Sequence, residues 1–511
     1  MTLLSNYNRL IQSSKVYEIL DETPMQKMKN FSDKLNTNVY LKREDLLPIF
    51  SFKLRGAYNM IANLSEKESK RGIIAASAGN HAQGVAMAAN KCGIKATIVM
   101  PITTPITKVN SVKSYKVNLI LKGDSFQEAF EHTQELVKKK NYVYIPPFDH
   151  PLVIAGQGTV GAEIIRQQQQ QLDAVFVPVG GGGLLAGIGV YIKDINPKVK
   201  VIGVEPEDAA SMTVSLKNKR LTTLSNVGLF ADGVAVDRVG NECFKIAREC
   251  VDEMITVTTD EICAATKDIF EDTRVLAEPA GAVAVAGVRK FCEKDSKRTK
   301  QHLVAILSGA NTDFDRLRHI AERTDIGEKR EGLFAVTIPE KPGSFLNFCR
   351  LLNKYSITEF NYRYSYPQQA QIFVGIRINS QDEISKIIRT LKNNDYTAYD
   401  MTNNEMAKLH IRHMVGGIPP SSLEDELIFR FEFPERPGAL LNFLRNLNPK
   451  WNISLFNYRN HGAAYGRVLA GLQVPPKERG MLKKYLDSIG YKFYPESDNI
   501  SYDLFLAGEN I

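Results

Sequence analysis

Between residues 39 and 307, short apolar runs alternate with longer stretches in helical pattern. The runs include Gly72-Ile73-Ile74-Ala75-Ala76, Ala96-Thr97-Ile98-Val99-Met100, Ala174-Val175-Phe176-Val177-Pro178-Val179, Val201-Ile202-Gly203-Val204 and Leu303-Val304-Ala305-Ile306-Leu307. Apolar on both faces, such runs suit strands of a buried parallel sheet with helices packed on each side. They predict an α/β domain over residues 1–323. The pattern then breaks. Residues 324–331, Thr324-Asp325-Ile326-Gly327-Glu328-Lys329-Arg330-Glu331, are charged, contain glycine and show no apolar face, so they predict a linker.

Beyond the linker lies an internal repeat. Pro339-Glu340-Lys341-Pro342-Gly343-Ser344-Phe345-Leu346-Asn347-Phe348 returns as Pro434-Glu435-Arg436-Pro437-Gly438-Ala439-Leu440-Leu441-Asn442-Phe443. Phe360-Asn361-Tyr362-Arg363 returns as Phe456-Asn457-Tyr458-Arg459. The first pair is offset by 95 residues and the second by 96, a net difference of one residue. The first copy reads strand 333–338, helix 344–353, strands 357–364 and 371–378, helix 381–393 and strand 396–399. That order is the split βαβ, ferredoxin-like unit, and two α+β subdomains are predicted at 332–411 and 412–511. The glycine after each first strand leaves N–H groups open at a helix start, suited to a carboxylate. A duplication without any ligand is the alternative.

Composition narrows the class. A chain of 511 residues holds two to four domains, and 43% hydrophobic with 24% charged residues is the balance of a soluble globular protein. No apolar run reaches the roughly 18 residues of a membrane span. The first residues show no secretory pattern, so a cytoplasmic protein is expected. The six cysteines form no C-x-x-C pair and read as small buried hydrophobes, not as a metal site. The net charge of +8 is spread among nearly as many acids, which argues against nucleic acid. Lys138-Lys139-Lys140 reads as a solvated helix end, and the glutamines at 167–171 as an exposed helix end or loop.

The candidate chemistry lies in three segments. Gly180, Gly181, Gly182 and Gly183 follow an apolar strand and precede Leu184-Leu185-Ala186-Gly187-Ile188, which reads as a helix. Without Cβ atoms the backbone can wrap an oxyanion, and the helix N-terminus adds partial positive charge. No Gly-Lys-Ser/Thr follows, so a nucleoside triphosphate loop is not supported. Gly181, Gly183 and Ala186 do satisfy G-x-G-x-x-A, with Glu205 placed like a ribose-binding acid, so a nicotinamide-dependent oxidoreductase stays open from this segment alone. In Ser51-Phe52-Lys53-Leu54-Arg55-Gly56, Lys53 sits between apolar neighbours that would lower its pKa, as a nucleophilic or Schiff-base lysine needs. Ser77-Ala78-Gly79-Asn80-His81-Ala82-Gln83-Gly84 follows a strand at a helix start. Ser77, Gly79, Asn80 and His81 could hold a substrate carboxylate there, and a plain helix cap at Ser77 is the alternative. Lysine, phosphate cup and carboxylate cradle together are what an aldehyde-phosphate cofactor acting on amino acids requires.

With Pro146-Pro147-Phe148-Asp149-His150-Pro151 and Ser308-Gly309-Ala310-Asn311 added, these segments resemble the fold-type II pyridoxal-phosphate family, whose catalytic domain is tryptophan synthase β-like. From about Val16 to the C-terminus, the chain resembles the biosynthetic threonine ammonia-lyases, with two C-terminal ACT-type subdomains. The resemblance implies that Lys53 holds pyridoxal 5'-phosphate and, once displaced by threonine, takes the Cα proton. It implies that Asn80 bonds the cofactor's 3'-oxygen, that Gly180, Gly181, Gly182, Gly183 and Leu184 bind its phosphate, and that Ser308 faces its ring nitrogen. The implied product is 2-oxobutanoate with ammonia, the committed step towards isoleucine, with L-serine as a slower substrate. Tyr362 and Tyr458 match the effector positions, with isoleucine as inhibitor and valine as antagonist; aromatic core residues are the alternative reading. A homotetramer is implied as well. Racemases of this fold carry serine where this chain has Ala78, so racemisation is disfavoured. Alanine stands at Ala280 where many relatives have serine, and no functional conclusion follows. A β-replacement synthase on the same fold and a silent amino-acid sensor are the other rivals.

Overall fold

The computed structural model describes residues 2–168, 171–295, 299–365, 368–416, 419, 423–434, 439–447, 450–459 and 465–506. Gln169, Gln170 and the second-repeat residues Glu435, Arg436, Pro437 and Gly438 therefore lie outside the described residues. The chain divides into two compact units, Met1–Gly327 and Glu328–Ile511. Among the described residues no helix is long and apolar enough to cross a membrane.

Among the described residues the first unit holds ten strands: β1 (Met25–Lys27), β2 (Asn38–Arg43), β3 (Ile73–Ala76), β4 (Ala96–Met100), β5 (Asn118–Leu121), β6 (Val143–Tyr144), β7 (Ala174–Pro178), β8 (Lys200–Pro206), β9 (Glu253–Val257) and β10 (His302–Leu307). All five apolar runs are strands, and their pairings are parallel. They do not share one sheet, however. β3 and β4 belong to a four-stranded sheet in the order β5-β4-β3-β6, while β7, β8 and β10 belong to a six-stranded sheet in the order β1-β2-β10-β7-β8-β9. An apolar run reports that both faces are covered, not which strand lies beside it, so the division was not readable from pattern.

Glycines set how closely the helices pack. The helix Lys53–Ala62 crosses the helix Pro151–Gln167 where a Cβ on Gly156 would lie 2.6 Å from the Arg55 carbonyl oxygen. The same long helix meets the helix Gly183–Ile195 where a Cβ on Gly187 would come within 2.6 Å of the Gly158 nitrogen. A Cβ on Gly84 would stand 3.2 Å from the Lys53 carbonyl oxygen, so the helix Asn80–Cys92 also lies directly against the start of the Lys53 helix. These close approaches bring the three candidate segments together.

The expected linker at 324–331 spans the boundary between the two units, but only Glu328, Lys329 and Arg330 lie outside regular structure. The helix Arg316–Gly327 runs through its first half, and strand β11 (Glu331–Pro339) begins at its last residue. Ile320, Ile326 and Gly327 are buried, and a Cβ on Gly327 would fall 1.9 Å from the Asp260 carbonyl oxygen. The sparse apolar face is enough because glycine lets the helix approach its neighbour.

The second unit continues with β12 (Ile357–Arg363), β13 (Gln369–Arg377), β14 (Thr397–Asp400), β15 (Glu426–Pro434), β16 (Asn452–Arg459), β17 (Tyr465–Gln473) and β18 (Lys492–Pro495). Each half has the predicted strand-helix-strand-strand-helix-strand order, with helices Ser344–Leu351 and Asp382–Lys392 in the first and Ala439–Asn446 and Arg479–Ser488 in the second. The halves join edge to edge through antiparallel β12 and β16, giving an eight-stranded sheet in the order β14-β11-β13-β12-β16-β17-β15-β18. Asn361 and Asn457 face each other across that seam, the Asn457 amide donating to Asn361 Oδ1 at 2.7 Å.

Candidate active site

The candidate residues sit at the C-terminal ends of parallel strands, where open α/β sheets place their ligands. Ser77 follows β3, Gly180 lies just beyond β7, and Ser308 follows β10. The Lys53 segment is tied to that edge by an isolated bridge between Ser51 and Gly309. The Phe52 N–H donates to the Ser308 carbonyl at 3.2 Å, and Ala310 donates back to Phe50 at 3.0 Å.

Lys53 opens its helix, and its Nζ donates to the Pro147 carbonyl at 3.3 Å and lies 5.2 Å from the Phe52 ring centre. The side chain keeps some surface exposure, yet the amine is deep. Burial lowers its pKa to about 8, partly opposed by Cys243 and Glu278 nearby. No carboxylate among the described residues forms an ion pair with it, so burial outweighs these distant charges.

At the second segment the helix N-cap is Gly79, without a side-chain cap. Ser77 is therefore not the cap: its Oγ accepts from the Gly79 N–H at 3.2 Å within the turn. The first N–H groups of the helix, from Asn80 onward, have no intrahelical partner, and a Cβ on Gly79 would meet nothing within 4 Å. The His81 side chain points elsewhere. Its Nε2 lies 2.9 Å from the Ile145 carbonyl, and burial, then the nearby Lys53 charge, pull its pKa down to about 3. A neutral imidazole donating to a carbonyl leaves only the His81 backbone N–H for an anion.

The third segment is a cup lined by packing on its outer side. A Cβ on Gly181 would fall 2.2 Å from the Phe148 ring, one on Gly183 would lie 3.0 Å from Phe148 Cβ, and one on Gly180 would lie 3.0 Å from Val234 Cα. Gly182 has φ +94°, which favours glycine. Among the described residues, Gly180, Gly181 and Gly182 donate no backbone hydrogen bond. Gly183 and the buried Leu184 form the first turn of the following helix. Glu205, the acid of the nicotinamide alternative, is committed elsewhere. It is fully buried and accepts from the N–H groups of Met212 and Thr213, both at 2.8 Å, and from the Thr213 hydroxyl at 2.6 Å.

Two further segments contribute to the site. The Pro147–Phe148–Asp149 stretch offers its Pro147 carbonyl to Lys53 and its Phe148 ring to the cup. Its Asp149 carboxylate accepts from the N–H groups of Asn241, Glu242 and Cys243, at 2.8, 2.9 and 3.2 Å. The run of prolines around an acid was the available signal. Glu278, at the N-cap of the helix Pro279–Glu293, accepts from the Asn80 amide at 2.8 Å. Burial first, then Asp232, raises its pKa to about 7. Ser308 is buried, with its Oγ 3.4 Å from the Ala280 carbonyl.

A desolvated amine, an open anion cup and an amide-bearing helix start, brought together from the C-terminal strand ends of the two sheets, define the class of pyridoxal-phosphate-dependent enzymes. Residues 16–309 match the family model described as pyridoxal-phosphate dependent enzyme, and residues 322–411 and 420–506 match that of the C-terminal regulatory domain of threonine dehydratase. The chain belongs to the biosynthetic threonine dehydratase family. It is 48% identical over 505 residues to the biosynthetic L-threonine dehydratase IlvA of Burkholderia multivorans, covering 98% of this chain and 99% of that one. It is also 48% identical to the mitochondrial threonine dehydratase of Saccharomyces cerevisiae, over 98% of this chain and 89% of the relative. The processed threonine deaminase isoform 2 of Solanum lycopersicum superposes with a TM-score of 0.62 at 49% identity, over 63% of this chain and 88% of that structure. The cofactor of this family is pyridoxal phosphate, and the residues present fit it. The cup's inner N–H groups are open, its outer side excludes side chains, and the Lys53 amine forms no ion pair among the described residues.

In the regulatory unit Tyr362 is buried on β12, and its hydroxyl donates to Glu340 Oε2 at 2.5 Å. Glu340 Oε1 accepts from Asn452 of the other half at 2.9 Å. Tyr458 is only partly buried against the same core.

Proposed function

We propose that this chain deaminates L-threonine to 2-oxobutanoate and ammonia with pyridoxal phosphate carried on Lys53, and that its C-terminal half senses isoleucine. The observation that carries the catalytic part is the buried Lys53 amine, in no ion pair among the described residues, beside the glycine cup and the Asn80 helix start. When bound, the cofactor supplies an electron-withdrawing ring that makes the substrate's Cα proton acidic. The chain's own groups do the rest. Gly180, Gly181, Gly182, Gly183 and Leu184 receive the phosphate on backbone N–H groups at the positive end of a helix. Ser77, Gly79, Asn80 and the His81 backbone cradle the substrate carboxylate, and the Asn80 amide also donates to the 3'-oxygen. Ser308 would offer the ring nitrogen a neutral hydroxyl in place of a carboxylate, which would favour elimination of the β-hydroxyl over a long-lived carbanion. With threonine bound, Lys53 would be the base for the Cα proton. A side-chain pKa near the working pH suits that task.

The proposed organisation is a catalytic domain over 1–323 followed by ACT-type subdomains at 332–411 and 412–511, with Tyr362 and Tyr458 at the effector sites. Isoleucine inhibits, valine antagonises, serine is a slower substrate, and the enzyme works as a cytoplasmic homotetramer. Equilibrium coupling is reciprocal, so threonine must weaken isoleucine binding as much as isoleucine weakens threonine binding. The test follows 2-oxobutanoate from threonine with the full-length, cofactor-loaded protein. Isoleucine should suppress turnover, valine should relieve the suppression, and Tyr362→Ala should blunt it. A loaded protein that forms no 2-oxobutanoate would remove the substrate assignment, and activity indifferent to isoleucine would remove the regulatory one.

A further inference from the structure

The Asn80 side chain is held at both ends. Asn311 Nδ2 donates to the Ile49 carbonyl at 2.7 Å and to Asn80 Oδ1 at 2.8 Å, and Asn80 Nδ2 donates to Glu278 Oε1 at 2.8 Å. The direction of this chain of bonds follows from chemistry. A backbone carbonyl only accepts, so the Asn311 atom facing Ile49 must be nitrogen. That same nitrogen reaches Asn80, so the Asn80 atom facing it must be oxygen. The nitrogen of Asn80 then lies toward Glu278, and one of its two hydrogens is left unspent. Asn311 spends both of its amide hydrogens on this arrangement.

We propose that Asn311 is a positioning residue that fixes the orientation of the Asn80 amide, so that Asn80 meets the cofactor's anionic oxygen as a donor and not as an acceptor. This rests on the reading of Asn80 given above. A wrongly turned amide would present a lone pair to an anion, replacing a charge-assisted bond by repulsion. Glu278 anchors the other end, and the Gly309 backbone gives it room, since a Cβ there would lie 2.4 Å from Oε1. Asn311 lies on the segment that also bridges to Ser51, two residues before Lys53, so the same strand end orients amide and amine together.

The test uses Asn80→Ala, Asn311→Ala, the near-isosteric Asn311→Asp and the double variant Asn80→Ala/Asn311→Ala in the full-length protein. Cofactor affinity is read by fluorescence titration, and the pH dependence of the loaded protein's long-wavelength absorption is recorded separately. Asn311→Ala should weaken cofactor binding about tenfold, the worth of one hydrogen bond to a charged group, and shift the absorption titration. Asn311→Asp keeps the volume but faces Asn80 Oδ1 with an acceptor, so it should do at least as much. The double variant should match Asn80→Ala alone, because Asn311 acts through Asn80. Additive losses would overturn the proposal, as would an Asn311→Asp protein with an unchanged spectrum. If Asn80→Ala itself changes neither affinity nor absorption, the assignment of Asn80 falls and this inference with it. If Asn80→Ala is impaired while both Asn311 variants behave as wild type, only the inference falls.

Discussion

Replacing Lys53 by alanine should lower threonine turnover by roughly 10³-fold or more, since nucleophile and proton acceptor are lost together, and should abolish the absorption of a lysine-bound cofactor. The protein should nonetheless stay folded. Lys53 takes part in no ion pair among the described residues, and its one polar contact is the Pro147 carbonyl at 3.3 Å. Removing a desolvated amine with so little compensation leaves the core intact, so thermal unfolding of the cofactor-free variant should match wild type. A variant that retains turnover, or one that is inactive only because it unfolds, would end the assignment. The amine's lowered pKa adds a second expectation. Only a neutral amine can bond an aldehyde, and the neutral fraction grows as pH rises. Uptake of cofactor by the cofactor-free protein should therefore speed up with pH and level off above about 8, as stopped-flow absorbance would record. A rate still climbing steeply near pH 10 would mean an ordinary solvated lysine.

What the sequence made legible has a physical boundary. Apolar runs, the glycine cup, the first Pro-Gly motif and both Asn-Tyr-Arg motifs are local signals, and each corresponds to an element in place. Lys53 was readable because its neighbours Phe52 and Leu54 announce a dry setting. Contacts between distant segments were not. Nothing near Gly156 reveals that Arg55 backbone presses on it, and nothing near Phe148 says that its ring fills the space beside Gly181. The role of Glu205 was ambiguous because a strand-ending acid looks the same whether it awaits a ribose or caps a helix. Its three donors settle the matter only in three dimensions. His81 illustrates the same limit: its place in the motif suggested a polar contact with substrate, while burial turns the ring to Ile145.

The largest stability effect is expected at a cluster that periodicity could not reveal. Arg55, Lys42, Glu44 and Glu163 are all fully buried. Arg55 grips Glu44 with Nε at 2.6 Å and Nη2 at 2.8 Å, and Glu163 with Nη1 at 2.5 Å and Nη2 at 3.0 Å. Lys42 Nζ reaches Glu163 at 2.6 Å, while Thr23, Thr159 and Tyr17 supply further hydrogen bonds. Two positive and two negative charges cancel, and nearly every polar atom has a partner, which is the condition under which buried ions are tolerated. The cluster joins β2, the start of the Lys53 helix and the long helix Pro151–Gln167. Glu163→Leu would leave the fully buried Arg55 and Lys42 with a single carboxylate. A loss of about 3–5 kcal/mol follows from breaking a buried pair on one side, measurable by urea titration. Lys42→Met added to Glu163→Leu removes the surplus charge and leaves the neutral Arg55–Glu44 pair. The double variant should therefore be more stable than Glu163→Leu alone, although it has lost more contacts. Simple addition of the two single losses would show that packing, not charge balance, governs the site. Burial alone would raise the Glu163 pKa, but Arg55 and Lys42 hold it below its ordinary value of 4.5. Its stabilising contribution is thus complete above that pH and fades as the solution is acidified through the folded value. Because Arg55 lies two residues beyond Lys53 on the same helix, activity should decline along with stability.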